Sequence, residues 1–467
     1  MKLKKEVENY DLLVMELYEK LIRIVNCLNP EEANDIKRAF DWAKELHKNQ
    51  KRKSGEPYII HPLIVAFTMA KFYADKETII AALLHDIVED TDKNLKDIKK
   101  EFGTEVATLV WGVTNLDLSL FPDKMTQYLK NTRKTLESCK IDIRIILIKL
   151  ADRAHNMKTI EFLKEENREK NAIETDEIYA PLAYGLGSYE LKYLLEGYAL
   201  KIRKPEIYFK IKRKIAEEQK KSKPTANKII HHLEKELKTL NIPTNISIQP
   251  EKISKISRKT NLGSELDERK SFLYLNIVTE KIEDCYQILN KIQDKYETEN
   301  TKDFIVQPKT NFHQSLQTQI NLDELMLSVK IRTKEMKEFA DLGILSFFKK
   351  DRKNAAQNMN KFVRQQNQFY QVVNLFNDIK SNELAVNFYK KELDPSHIYI
   401  NVNNVIMEIS QNTSLTGLVL LSGFPVDEVN VKVNNEFVPL NFELRNGDNL
   451  EIQGVSPAIV QSRRRIG

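Results

Sequence analysis

The run Ala82-Leu83-Leu84-His85-Asp86-Ile87-Val88-Glu89-Asp90 constrains this chain more than any other stretch. Leu83, Leu84, Ile87 and Val88 would anchor the apolar side of a helix, while four ionisable side chains crowd the same two turns. On such a helix His85 and Glu89 are neighbours four residues apart, as are Asp86 and Asp90, giving two stacked pairs. Imidazoles and carboxylates gathered this densely read as an active site. Two segments look complementary: Arg52-Lys53-Ser54-Gly55-Glu56-Pro57-Tyr58-Ile59-Ile60-His61-Pro62 upstream, and Ile148-Lys149-Leu150-Ala151-Asp152-Arg153-Ala154-His155-Asn156-Met157-Lys158-Thr159 downstream.

The surroundings are helical. Periodic apolar patterns over Glu31–Lys48, Leu63–Tyr73, Glu77–Val88, Asn94–Val113 and Ile141–Phe162 make residues 1–200 almost entirely α, and Ser119–Lys130 reads as a mobile loop near the cleft. If Ile145–Thr159 is one helix, Lys149, Asp152, Asn156 and Thr159 share a face that would look into the site. His47 is expected on the solvent side of a Lys-rich helix, and His155 is expected to pack beside Asp152 or cap a neighbour.

A length of 467 residues with 41% hydrophobic and 30% charged side chains suits two to four domains with proper cores. The net charge of +6 is compatible with anionic nucleotides but too weak to argue for nucleic acid. Cys27, Cys139 and Cys285 have no paired or zinc-like spacing, which suggests a reducing compartment. No apolar run of spanning length occurs, so a soluble, cytoplasmic protein without a membrane partner is expected.

Six blocks in one order, Arg52–Pro62, Ala81–Thr91, Phe102–Ala107, Val110–Leu116, Ile145–Thr159 and Glu177–Gly187, give the run from Arg38 to Leu200 a specific resemblance. It resembles the HD-type metal-dependent hydrolase domain of the RelA/SpoT homologue family, enzymes that make and destroy the guanosine alarmones (p)ppGpp. The resemblance implies His61, His85, Asp86 and Asp152 as metal ligands, with Mn²⁺ favoured. This mixed N/O set also suits Fe or Zn and leaves positions for water and a phosphate oxygen. Glu89 and Asp90 match the family's acidic pair, which positions or deprotonates the attacking water, and which of the two is the base stays open. Arg52, Lys53 and Ser54 match its base- and phosphate-contacting segment, Asn156 and Thr159 its nucleotide contacts, and Lys149 joins them from the shared helix face.

A basic helical linker, 201–225, is expected to end at Pro224, and residues 226–350 alternate helices with strands, among them Phe272–Val278 and Leu325–Ile331. Three blocks here, Asp303–Lys309, Asn311–Thr318 and Val329–Met336, resemble the family's synthetase domain, but its catalytic positions differ. Ser271 and Ser328 stand where acids are expected, Asn276 replaces a strand Arg, His313 a substrate-stacking Tyr, and Gln317 a His. A pyrophosphate transfer needs carboxylates to hold Mg²⁺ against the triphosphate, so a pseudo-synthetase is implied unless Glu265, Asp267 or Glu268 substitutes.

A Gln- and Asn-rich helical connector follows at 351–396, read from Asn354–Leu393. A β-grasp-like module resembling a TGS domain occupies 397–456, with Asn446-Gly447 as a turn before a strand, and a basic tail spans 457–467, where long family members continue into regulatory modules. Leu418–Asp427 carries no histidine, so ribosome-linked tRNA reading is not expected.

The fold expectation is therefore multidomain α plus α/β: an all-α HD domain over 1–200, a mixed α/β domain and a small β-grasp-like one. The functional expectation is release of pyrophosphate from the ribose 3′ position of (p)ppGpp, with a regulatory nucleotide or protein at the later domains. Alternatives are an HD phosphohydrolase of broader nucleotide specificity and a nucleotide- or ribosome-sensing scaffold.

Overall fold

The computed structural model describes residues 2–454 apart from 29, 116–133, 136, 240, 260–269, 307–312, 323–324, 349–396, 403–404, 411–414, 422–428, 441, 443 and 445–447. The expected loop Ser119–Lys130, the connector Asn354–Leu393, the turn Asn446-Gly447, the tail 457–467 and the acids Glu265, Asp267 and Glu268 lie outside the described residues, as does most of Leu418–Asp427. Two compact units emerge, one of residues 1–307 with 313–367, the other of 308–312 with 368–467.

Helices Lys2–Leu28, Ala33–Leu46, Ile60–Lys71, Lys76–Leu84, Ile87–Asp90, Leu95–Val113 and Arg144–Lys158 build the first part of the larger unit. Two of them begin on a side-chain cap. Asp75 accepts from the Thr78 backbone N–H at 2.8 Å, and Asn94 with Asp97 forms a capping box. The Leu95–Val113 pattern is not one straight helix, because Gly103 sits at φ 91° and kinks it. Arg144 clamps three segments by pairing with Asp75 at 3.0 Å, Glu105 at 2.7 Å and Asp142 at 2.6 Å. The helix expected over Glu77–Val88 stops at Leu84 and restarts at Ile87, so His85 and Asp86 form a turn between two short helices. Leu83, Leu84 and Ile87 are fully buried on either side of it, which anchors the turn from both ends.

The expectation that Pro224 ends the basic helix is wrong: one helix runs Pro205–Thr239. An interior proline costs about 3 kcal/mol. Both halves of the helix are held independently, Ile211 and Ile215 against Ile256, and Ile229, Leu233 and Leu237 in the α/β core.

That core lies on one face of a five-stranded sheet of order β1-β2-β5-β4-β3, formed by Asn245–Pro250 (β1), Lys270–Thr279 (β2), Thr298–Asp303 (β3), Leu316–Leu322 (β4) and Leu325–Thr333 (β5). Only β2 and β5 run parallel, with Leu275 opposite Val329 and Ile277 opposite Ile331. Alternation sends Leu273, Leu275, Ile277, Leu327, Val329 and Ile331 into the core. Tyr274, Asn276, Ser328, Lys330 and Arg332 occupy the other face.

The helical and α/β parts of this unit touch at the Tyr189–Arg203 helix and the turn before it. Ile344 N–H donates to Leu186 O at 2.9 Å, and Gly343, at φ 59°, approaches so closely that an added Cβ would lie 2.2 Å from Leu186 O. Lys192 and Glu196 form a pair, each 2% exposed, joined by Arg258 from the Ile253–Lys259 helix at 2.7 Å.

In the smaller unit, His397–Val402 (β6), Val405–Ser410 (β7), Val429–Val433 (β8), Glu436–Val438 (β9) and Asn449–Gly454 (β10) form a sheet of order β7-β6-β10-β8-β9, parallel only between β6 and β10. Leu415, Leu418 and Val419 of the Leu415–Leu421 helix pack on it. Asn434 and Asn435, at φ 51° and 72°, make the two-residue turn of the β8–β9 hairpin.

Candidate metal centre and active site

His61 stands in the first turn of the Ile60–Lys71 helix, His85 and Asp86 in the turn at 85–86, and Asp152 midway along the Arg144–Lys158 helix. Packing of these elements brings the four together. His61 Nε2 lies 3.4 Å from Asp86 Oδ2 and 3.2 Å from Asp152 Oδ1, while His85 Nε2 lies 3.2 Å from Asp86 Oδ1 and 3.9 Å from Asp152 Oδ1. Ligand atoms of His61, His85 and Asp86 all fall within 4.8 Å of one another, the one such group among the described residues.

The chemistry of these donors fits a divalent cation. His85 Nδ1 donates to Ala82 O at 2.9 Å, which leaves the lone pair on Nε2, and that nitrogen is buried without a hydrogen-bond partner. Burial holds His61 below the usual imidazole range, hence neutral. Burial also works against the Asp152 charge, but the facing imidazoles of His61 and His85 and the Lys149 ammonium keep its carboxyl well below the usual carboxylate range. Two ionised carboxylates and an unpaired imidazole lone pair in one buried pocket call for positive charge.

His155, expected to be a packing residue, stacks on His61 at 5.0 Å between ring centroids and meets it Nδ1 to Nδ1 at 2.7 Å. Burial first, then the fields of His61 and Arg52, lower its pKa to about 3. A neutral His155 accepts from His61 Nδ1–H, which turns His61 Nε2 toward the carboxylates.

The two acids are held differently. Glu89 accepts from the Asn115 backbone N–H at 2.6 Å and Asn115 Nδ2 at 3.2 Å. Asp90 Oδ2 instead accepts from the Tyr58 hydroxyl at 2.5 Å, and the same hydroxyl lies 2.9 Å from Asp86 Oδ2. Of the two expected i, i+4 pairs, Asp86 and Asp90 do meet, through the Tyr58 hydroxyl and through Asp90 N–H donating to Asp86 O at 2.9 Å, whereas the Glu89 carboxylate is taken up by Asn115.

Of the expected nucleotide contacts, Arg52 Nη2 donates to Asn156 Oδ1 at 2.6 Å, and Asn156 Nδ2 donates to Asp152 Oδ1 at 2.5 Å, linking this group to the metal ligands. Arg52 Nη1 and Ser54 Oγ are buried without partners, and Lys53 is exposed. Thr159 spends its hydroxyl on the end of its own helix, at 3.3 Å from His155 O. Lys149, expected on the substrate side, has its ammonium bound within the protein. It is 6% exposed and donates to Val113 O at 3.0 Å and Asn115 Oδ1 at 2.8 Å, because its long stem threads back to the end of the Leu95–Val113 helix. His47 is likewise not on the solvent side: it is 2% exposed, stacks on Tyr58 at 4.7 Å and meets Gln50 Oε1 at 2.6 Å.

A model described as an HD domain matches residues 39–189, and one described as a region found in RelA / SpoT proteins matches residues 249–355. A guanosine-3′,5′-bis(diphosphate) 3′-pyrophosphohydrolase of Aquifex aeolicus is 36% identical over 446 residues, 91% of this chain and 61% of its own length. This chain belongs to the RelA/SpoT family. The bifunctional (p)ppGpp synthase/hydrolase SpoT of Escherichia coli K12 is 31% identical over 94% of this chain and 63% of its own length. A GTP pyrophosphokinase of Streptomyces coelicolor is 31% identical over 93% and 54%. The chain thus spans 54–63% of the length of these curated RelA/SpoT relatives. No helix among its described residues is long and apolar enough to cross a membrane.

Sequence reasoning passed over Tyr58, His155 and Asn115. Tyr58 and His155 lie inside the quoted family blocks, so their position was visible. Their partners, 32 and 94 residues away, were not. Asn115 likewise lies in the quoted Val110–Leu116 block, and its partner Glu89, 26 residues away, was equally out of view.

Proposed function

We propose that this chain hydrolyses (p)ppGpp, releasing pyrophosphate from the ribose 3′ position to leave GDP or GTP, with Mn²⁺ as its preferred metal. The convergence of His61, His85, Asp86 and Asp152 around one lone-pair-bearing, carboxylate-lined point carries this reading, and the names of the Aquifex and Escherichia relatives support it. Those four residues would hold the ion, which when bound stabilises charge on the reacting phosphate and acidifies water. Glu89 and Asp90 serve the attacking water, and Arg52, Lys53, Ser54, Asn156 and Thr159 the nucleotide, with the partnerless Arg52 Nη1 and Ser54 Oγ as donors awaiting acceptors.

The α/β domain acts as a pseudo-synthetase, and the smaller unit as a TGS-type module. Asn276 is 2% exposed and accepts from Arg332 Nη2 at 2.9 Å, and His313, at the substrate-stacking position, packs 5.0 Å from Tyr189 of the helical part. Both side chains are thereby drawn into internal contacts. Among the described residues, Glu218 stands beside Ser271, accepting from its hydroxyl and from Phe272 N–H, where the reaction needs a pair of acids.

The direct test is incubation of the protein with ppGpp and Mn²⁺, following pyrophosphate and GDP. Stoichiometric release that chelation stops is expected, and an intact substrate would refute the reading.

A further inference from the structure

Asp90 closes a helix of four residues, Ile87–Asp90, and its side chain is exposed. Nothing in so short a helix fixes that carboxylate. What fixes it is Tyr58, whose phenol oxygen stands 2.5 Å from Asp90 Oδ2 and 2.9 Å from Asp86 Oδ2. The hydroxyl has one proton, and two carboxylate oxygens converge on it.

Tyr58 is itself immobilised. Its backbone N–H donates to Gln50 O at 3.0 Å and its ring stacks on His47. Gln50 reaches past it to donate from Nε2 to Asp90 O at 2.5 Å. The segment before the first metal ligand therefore grips both the side chain and the backbone of Asp90. The Glu89 carboxylate is instead tied to Asn115, and through it to Lys149.

We propose that Tyr58 is a positioning residue: its hydroxyl bridges the metal-ligand aspartate Asp86 and Asp90, and holds the Asp90 carboxylate where it takes the proton of the attacking water. The inference rests on the hydrolase reading. In the step it serves, the water oxygen bonds to the phosphorus attached to the ribose 3′ oxygen, and the bond between that phosphorus and the 3′ oxygen breaks. One water proton passes to Asp90, and the departing 3′ oxygen is protonated from solvent. By this arrangement Asp90 is the proton acceptor and Glu89 orients the loop end at Asn115.

The test is Tyr58→Phe in the full chain, which keeps the ring on His47 and removes only the bridge. Turnover of ppGpp should fall about 10- to 100-fold with KM within about twofold, and Mn²⁺ affinity, read by titration of the electron paramagnetic signal without nucleotide, should weaken by about tenfold. In an Asp90→Asn background, with both variants saturated with Mn²⁺, the same change should cost nothing further in kcat, because the partner it positions has lost its function. Wild-type turnover in Tyr58→Phe would overturn the proposal. So would a raised KM at constant kcat, which would make the ring a support for Arg52, or multiplicative losses in the double variant. The metal titration does not depend on hydrolysis: if wild type leaves ppGpp intact, the functional reading fails, and unchanged Mn²⁺ affinity in Tyr58→Phe would still overturn the bridge.

Discussion

Single side chains divide the labour of this site by what they can still do after their structural bonds are counted. His85 has one nitrogen committed to Ala82 O and one with nothing to bind, so its value lies in the second. His85→Ala should therefore abolish pyrophosphate release and Mn²⁺ binding together, and so should Asp152→Ala. Calorimetric titration with Mn²⁺ beside the hydrolysis assay checks the coupling, and metal binding at wild-type affinity by either variant would remove it from the ligand set. Arg52 stands on the nucleotide side, with one terminal nitrogen on Asn156 and the other unpartnered. Losing a hydrogen bond to a charged group costs about 1.5–3 kcal/mol, so Arg52→Ala should raise KM for ppGpp by roughly tenfold or more and leave kcat less affected. Steady-state kinetics separate the two, and a loss confined to kcat would place Arg52 in the chemistry instead. Lys149, matched by spacing to the substrate face, gives two of its three donors to Val113 O and Asn115 Oδ1.

At the scale of elements, the polar face of the larger sheet has become a set of internal charge contacts. Lys330 on β5 lies 3.4 Å from the Tyr274 ring centre and 3.3 Å from Glu251, which Lys255 already holds at 2.7 Å. Burial first, then repulsion from Lys255, drives the Lys330 ammonium well below its usual range. An amine depressed in the folded state binds fewer protons there than in the unfolded chain. Stability attached to it therefore rises as pH climbs through the window between its folded pKa and the ordinary value of 10.5. Lys330→Met removes the buried charge and leaves Glu251 paired with Lys255. It should stabilise the protein at pH 7 by about 1–3 kcal/mol, with a smaller gain near the top of that window. Urea unfolding midpoints at the two pH values measure this, and a destabilised variant would mean the Tyr274 contact outweighs the desolvation.

For the molecule as a whole, the HD region and the α/β region share one compact unit, joined by a helix that crosses Pro224 and by the Gly343–Leu186 approach. Cutting the chain near residue 225 would sever that helix, so the synthetase question is better asked of the intact protein. Asp152→Ala protein given ATP with GDP or GTP should accumulate no alarmone, since Ser271 and Ser328 offer hydroxyls where Mg²⁺ needs carboxylates. Chromatographic detection of ppGpp there would show that Glu218, or an acid outside the described residues, completes the site.

The sequence by itself determined the helices of the first region, the alternation in β2 and β5, and the metal-ligand candidates. These follow from local periodicity and from residue types whose chemistry travels with them, whatever the rest of the chain does. Even the break between His85 and Asp86 leaves the two residues adjacent to each other and to buried anchors at Leu84 and Ile87. Only the tertiary structure decided who stands beside whom: His155 behind His61, Tyr58 between Asp86 and Asp90, Asn115 on Glu89, Lys149 on Val113 and Asn115, and His47 out of solvent. It also decided that a proline stays inside a helix, because packing at both ends outweighs one local penalty. A side chain's hydrogen-bond partner is fixed by chain segments far apart in sequence meeting in space, and no spacing rule within one segment contains that information.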